Sequence, residues 1–401
     1  MKILLLMLIV PIISLCGCNN SSKVVYPVEI VEEQENEPEE IVIKTDDTSE
    51  ASEEDEEEEE EFVLLEPNEP EVEESSEEGN LVTTDGKTIV DLIFFMGQSN
   101  MSGAGGKAEL APPVLEGTGY EFRAISDPTM LYPITEPFGK NESFIGGICD
   151  VPGAKKGSLV SAFVNEYYLE TGVPVVCVSA SQGASTTEIW QTPGFQADMK
   201  ERYDRAVVWL ESSGYHIRNR YAIWFQGESD AANHVNPDVY NTNMDNIIRP
   251  MFISGLNKVF IVTPGRTLSI RNYFSEIIDE QLDMCKTSGY YALATNLLSG
   301  VSASYLVDEW HYGQPVLNLI GIETAKSVAY YSLNQKERVD YDYKHDCTYI
   351  PNDNGYTGDE VVEPLDLRDI QKLDDEYYDE YLRIIHEKYD EYQDMNIEGA
   401  Y

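Results

Sequence analysis

Basic residues are scarce in this chain. Lys and Arg together number 27 against 73 Asp and Glu, for a formal net charge of −46 at pH 7. Nucleic acid and anionic membrane surfaces bind through cationic faces, so both are excluded as charge-driven partners. No basic cluster offsets the imbalance. Cysteine is also sparse, with six in 401 residues. Cys149, Cys177, Cys285 and Cys347 show no CxxC spacing, which argues against a zinc cluster. Cys177 lies in an apolar run and reads as a core residue; nothing in the sequence chooses a disulfide pairing. No apolar stretch reaches the roughly 20 residues of a membrane span, and no internal repeat is evident. The glycine run at Gly103, Gly105, Gly106 and Lys107 lacks the phosphate-loop pattern, because Met101 and Ala108 stand where Gly and Ser/Thr belong. It reads as a flexible loop at a pocket mouth.

The first residues form a separate unit. Lys2 precedes an apolar stretch from Ile3 to Leu15 that suits a secretory signal. Leu15-Cys16-Gly17-Cys18 resembles a bacterial lipobox, and by that resemblance Cys18 becomes the lipidated first residue after removal of residues 1–17. The expectation is a chain anchored to a membrane by lipid on the extracytoplasmic surface. Residues 18–80 are dominated by glutamate, as in "SEEDEEEEEEF". Too little apolar area is available there to offset the entropy of ordering, so an extended, disordered spacer is expected. A flexible chain of this length spans on the order of 40 Å, and a charged one more.

Between residues 81 and 333 the pattern changes. Near-continuous apolar runs, "TIVDLIFFM", "VPVVCVSA", "RYAIWFQ", "KVFIVTP" and "YYALATNLL", alternate with helix-length amphipathic segments. The helical segments lie near Ser158–Thr171, Ala197–Ser212, Pro237–Ile253, Ser269–Lys286 and Gln314–Leu333. Strands that are apolar on both faces and separated by helices predict an α/β fold: a three-layer α/β/α sandwich with a central parallel sheet. Residues 334–401 are again acidic and rich in tyrosine. Leu367, Ile370, Leu373, Tyr377, Tyr381, Ile384 and Ile385 fall at helical spacing and predict a helix there.

In parallel sheets ligands gather beyond the carboxyl ends of the strands. Ser99 follows the first strand, in "GQSN". Gly183 follows the second, and Gln226, Gly227 and Glu228 follow the third. Asp308 and His311 follow the fifth through a polar loop. A serine hydroxyl becomes a nucleophile when a base takes its proton, and histidine suits that task near neutrality. Of the five histidines, His216 reads as a loop residue on the wrong side of the sheet. His345 and His386 belong to the acidic C-terminal part. His234, after the third strand, competes with His311. Asp308, three residues before His311, is close enough to orient that imidazole. Negative charge developing on an ester oxygen needs fixed N–H donors. The backbone of Ser99, the backbone of Gly183 and the side chain of Gln226 offer them. Gly183 also reads as a plain turn glycine, and Gln226 as a tie between loops. Gln98, Asn100, Glu228 and Trp310 are weaker candidates for substrate contact; Trp310 could stack on a sugar or pack beneath its loop. Glu228 and Asp230 stand only two residues apart and read as loop ties rather than a glycosidase pair. No G-x-S-x-G elbow surrounds any serine, which argues against the α/β-hydrolase fold.

These blocks resemble the SGNH/GDSL hydrolase superfamily, and within it the sialate O-acetylesterase-like carbohydrate esterases. Gly97-Gln98-Ser99-Asn100-Met101, Ser181-Gln182-Gly183 with Trp190, Gln226-Gly227-Glu228, and Asp308 with His311 match the family blocks in order. The departure is Gln182-Gly183-Ala184, where relatives show paired glycines and a threonine. The resemblance implies nucleophile Ser99, base His311, orienting Asp308, and oxyanion donors at Ser99, Gly183 and Gln226. It implies an acetylated carbohydrate substrate, with no metal or organic cofactor. A catalytically silent surface protein that only binds glycans is the alternative reading.

Overall fold

The computed structural model describes residues 82–352, 361–368, 370, 383–384 and 386–388. The expected signal segment, Cys18, the acidic spacer and most of the expected C-terminal helix lie outside the described residues. Within them the order is β1 (Thr88–Gly97), α1 (Ser99–Ser102), β2 (Gly119–Phe122), β3 (Leu131–Pro133), α2 (Val160–Thr171), β4 (Val175–Ser181), α3 (Thr187–Trp190) and α4 (Pro193–Ser212). Then come β5 (Tyr215–Phe225), α5 (Glu228–Ala232), α6 (Pro237–Ile253), β6 (Lys258–Val262), α7 (Ser275–Thr287), β7 (Tyr291–Thr295), α8 (Gln314–Asn334), β8 (Asp340–Asp342) and β9 (Cys347–Tyr349).

The main sheet has the order β3-β2-β4-β1-β5-β6-β7. All pairings are parallel except β2 with β3. Strand side chains alternate between faces, and β1 shows what that does here. Val90, Leu92, Phe94 and Met96 enter a core shared with α4, α6 and α7. Ile93 and Phe95 enter a second core shared with α2 and α8. Each fully buried aromatic or aliphatic side chain contributes on the order of 2 kcal/mol by leaving water. Two cores on opposite faces make the three-layer α/β/α sandwich. Asp91, the acidic residue within β1, is fully buried and held by Tyr167 Oη at 2.6 Å, Asn219 Nδ2 at 3.0 Å and the Arg218 guanidinium.

Strand β1 lies between β4 and β5, and the chain fills one side of it before crossing to the other. This is the point in a parallel sheet where a crevice opens at the carboxyl ends. The β2 and β3 strands were not expected from the sequence, because four and three residues carry no apolar run. Strand β5 begins at Tyr215, so His216 is a strand residue and not the loop residue expected. The polar start of β5 pairs with Thr88–Val90 through a shifted register. His216 still sits at the amino end of the sheet. The segment after α8 returns to the body. Ile370 is buried in the α2/α8 core with Leu367 packed beside it, and Leu365 N–H donates to Tyr343 Oη at 2.9 Å. His386 is exposed.

Candidate active site

Ser99 is presented by a turn that only glycine fits. Gly97 ends β1 at φ +138°, and a Cβ there would lie 2.1 Å from the Phe225 carbonyl oxygen. The backbone therefore folds tightly over β5, with Gln98 N–H donating to Phe225 O at 3.0 Å. Ser99 opens α1 half-buried. At the first position of a helix its N–H has no intrahelical acceptor.

The two amides flanking Ser99 are structural ties. Gln98 Oε1 accepts from the Ser229 N–H at 3.1 Å. Asn100 Nδ2 donates to Glu228 Oε1 at 2.6 Å and to the Trp310 carbonyl at 3.1 Å, while its Oδ1 accepts from the Tyr312 N–H at 3.2 Å. Asn100 thus holds both chain neighbours of His311. Gln98, Asn100 and Glu228 are buried, so these three expected substrate contacts face protein.

His311 Nδ1 lies 2.8 Å from Asp308 Oδ2, and Asp308 Oδ1 accepts the N–H groups of Trp310 and His311 at 2.8 and 2.9 Å. Partial burial acts to raise the Asp308 carboxyl. The hydrogen bonds from His311 and Trp310, with the imidazole charge, outweigh it and hold the group below the usual carboxylate range. Gly105 packs against this loop: a Cβ there would lie 2.9 Å from His311 Cβ and 2.3 Å from the Tyr312 carbonyl oxygen. The Gly103–Gly106 run is therefore close-packed, against the expectation of a flexible loop, because backbone from two other segments touches it. No hydrogen bond joins Ser99 to His311 among the described residues.

Gly183 stands on the other side of Ser99; its Cβ position is 3.5 Å from Ser99 Cβ. Its N–H donates to Asp150 Oδ1 at 2.7 Å. Asp150 also accepts from Ser102 Oγ at 2.6 Å and pairs with the buried Lys155 at 3.5 Å, which donates to Ser181 Oγ at 2.6 Å. Asp150 and Lys155 carry no signal in the sequence, since both come from a loop that does not directly follow a strand. Gln226 is fully buried. Its Nε2 donates to the Ser185 carbonyl at 3.0 Å and to Asp230, and its Oε1 accepts from Tyr240 Oη at 3.2 Å. Both amide protons are thus engaged by protein, which is the loop-tie geometry. Asp230 likewise bonds Thr187. Trp310 packs against Tyr273 and Phe274, with ring centroids 5.8 and 6.0 Å away. Trp190 and Trp224 are core residues. His234 is exposed, at φ +55° beyond α5.

Glu228 is 2 % exposed and its Oε2 has no partner. Loss of hydration raises its carboxyl to about 7, opposed by the hydrogen bond from Asn100. Among the described residues no group of three or more His, Cys, Asp and Glu could hold a metal ion, and the four cysteines are free. Among them, too, no helix is long and apolar enough to cross a membrane.

The family described as carbohydrate esterase, sialic acid-specific acetylesterase matches residues 90–287, a span that ends before Asp308 and His311. No curated protein matches. Among solved structures, an Arabidopsis thaliana protein is similar at 22 % identity and TM-score 0.42, covering 59 % of this chain and 97 % of that one. A carbohydrate acetylesterase from Xanthomonas citri is similar at 14 % identity and TM-score 0.40, over 62 % of this chain and 58 % of that one. The esterase EstA from Pseudoalteromonas is similar at 12 % identity and TM-score 0.34, over 61 % and 100 %. Over residues 90–287, within its α/β domain, this chain is similar to the family described as carbohydrate esterase, sialic acid-specific acetylesterase.

Proposed function

We propose that this protein removes acetyl groups from carbohydrate by a serine-hydrolase mechanism, with Ser99 as nucleophile, His311 as base and Asp308 as its orienting carboxylate. One observation carries the reading: Asn100, the neighbour of Ser99, bonds the residues on either side of His311, whose Nδ1 rests on Asp308. Ser99 Oγ attacks the acetyl carbonyl while His311 Nε2 takes its proton. The Asp308 carboxylate fixes the Nδ1–H tautomer and stabilises the imidazolium. The Ser99 N–H, at the start of α1, supports the oxyanion. His311 then gives that proton to the sugar oxygen as its bond to the acetyl carbon breaks, so the sugar leaves as an alcohol, and a water activated by the same imidazole releases acetate from Ser99.

The reading extends to location: a lipid on Cys18 would hold the esterase outside the cytoplasm, and intact-mass analysis of the membrane fraction tests it. A mature chain that starts elsewhere or carries no acyl groups would remove that part. The central test is acetate release from a panel of acetylated glycans and from p-nitrophenyl acetate. Ser99→Ala should lower kcat by ~10³-fold or more. Undiminished turnover in that variant would refute the nucleophile, and glycan binding without turnover or phosphonate labelling in the wild type would favour the silent binder.

A further inference from the structure

A cavity of about 220 Å³ opens beside the loop that follows β6. Its lining includes Arg271, Asn272, Ser275, Ser299, Tyr343 and Lys344. Among the described residues two cations and no carboxylate line it, in a chain with net charge −46. We propose that this cavity is a binding site for a small oxoanion, the carboxylate or phosphate group of a sugar or a free ion of the same chemistry.

Four features meet there. Arg271 is exposed, and among the described residues no hydrogen bond or ion pair engages its guanidinium; a planar fork of N–H donors suits two oxygens at once. The Ser299 hydroxyl is buried without a hydrogen-bond partner. A hydroxyl in that state is free to bond a water or a ligand atom. Lys344 Nζ is fixed at the wall by the Ser275 carbonyl at 2.7 Å and by an ion pair with Asp279. Helix α7 starts at the wall with no side chain capping its first N–H groups, which adds the positive end of a 13-residue helix. Two nearby carboxylates are already engaged, Asp279 by Lys344 and His345 and Asp342 by His345 and Asn296, while Glu276 in the first turn of α7 is exposed to solvent.

Part of the wall comes from the segment after α8, which the esterase chemistry leaves unexplained. Tyr343 and Lys344 lie in the turn between β8 and β9. The Tyr343 hydroxyl accepts from Leu365 N–H, and Tyr343 N–H donates to Asn296 Oδ1 at 3.2 Å. The cavity also adjoins the His311 loop. Gly265, at its edge, abuts the Tyr312 hydroxyl, and Leu268 N–H and Ser269 Oγ bond Glu309.

The test is titration calorimetry on the full chain with inorganic phosphate and with glucuronate, against sodium chloride of equal ionic strength. Saturable binding of either anion is expected, weakened at least tenfold by Arg271→Gln and by Ser299→Ala and unchanged by Ser99→Ala. Both informative variants should fold, since one changes an exposed side chain and the other removes an orphan hydroxyl. Preference for glucuronate assigns the site to an acidic glycan, and preference for phosphate to a phosphoryl group or the free ion. No binding of either anion, or binding that both variants leave intact, would overturn the proposal. Because Ser99→Ala is included, loss of turnover and loss of anion binding are read separately.

Discussion

The Gly183 N–H donates to Asp150 Oδ1 at 2.7 Å, so a carboxylate sits on a backbone donor beside Ser99. An N–H points one way at a time, and here it serves a loop that approaches from residues 149–155. Asp150 is balanced by Lys155, whose burial pulls its ammonium below the usual range while Asp150 opposes that loss. Removing one member of a buried pair strands the other's charge and destabilises by ~3–5 kcal/mol. Asp150→Asn should therefore lower the denaturant midpoint substantially, and adding Lys155→Met should recover part of the loss. Unchanged stability in the single variant would show that the pair is not coupled.

Asn100→Ala removes three bonds that hold Glu228 and both neighbours of His311. A displacement of about 1 Å at a reacting group can lower rate by ~10²-fold. The expected result is a fall in kcat on p-nitrophenyl acetate of that order, with KM little changed. A KM effect at constant kcat would place Asn100 among substrate contacts instead.

Asp308→Asn is close in size and, in the proposed mechanism, removes the charge that stabilises the imidazolium. A loss of kcat of ~10³–10⁴-fold is expected, with folding intact by circular dichroism. Retention of more than a tenth of the activity would remove Asp308 from the relay.

Glu228 makes stability depend on pH. Its carboxyl moves from 4.5 to about 7 on folding, mainly because hydration is lost. Below pH 4.5 it is protonated in both states and contributes no slope. As pH rises from there, the unfolded chain ionises first, so stability is lost until pH passes about 7 and the difference levels. At ~1.4 kcal/mol per pH unit the whole effect is about 3 kcal/mol. Glu228→Gln should remove this component, so the wild-type minus variant stability should decline across that window in urea titrations. A constant difference would mean that Glu228 stays ionised when buried.

The five apolar runs of the sequence became β1, β4, β5, β6 and β7, and the five amphipathic segments became α2, α4, α6, α7 and α8. They were legible because a strand buried on both faces needs unbroken apolar residues and a covering helix needs one apolar stripe. Strands β2 and β3 were not legible. Their place is set by pairing to β4, and Glu121 within β2 is buried only because Arg123 and the Gly139 N–H satisfy it. Ser99, Asp308 and His311 were read as candidates from their positions after strands, and Asn100, next to Ser99, bonds both chain neighbours of His311. Asp150 and Lys155 follow no strand, so nothing local pointed to them.

The sequence by itself determined the three-layer sheet, its covering helices and the strand ends at which polar residues gather, because side-chain periodicity is a local property of the chain. Which polar atom meets which was decided only by tertiary structure. Gln226 turned inward to Ser185, Asp230 and Tyr240, Asn100 reached 210 residues along the chain to Trp310, and Asp150 took the Gly183 N–H. Hydrogen bonds act over about 3 Å, so their partners are fixed only after packing has brought distant segments together.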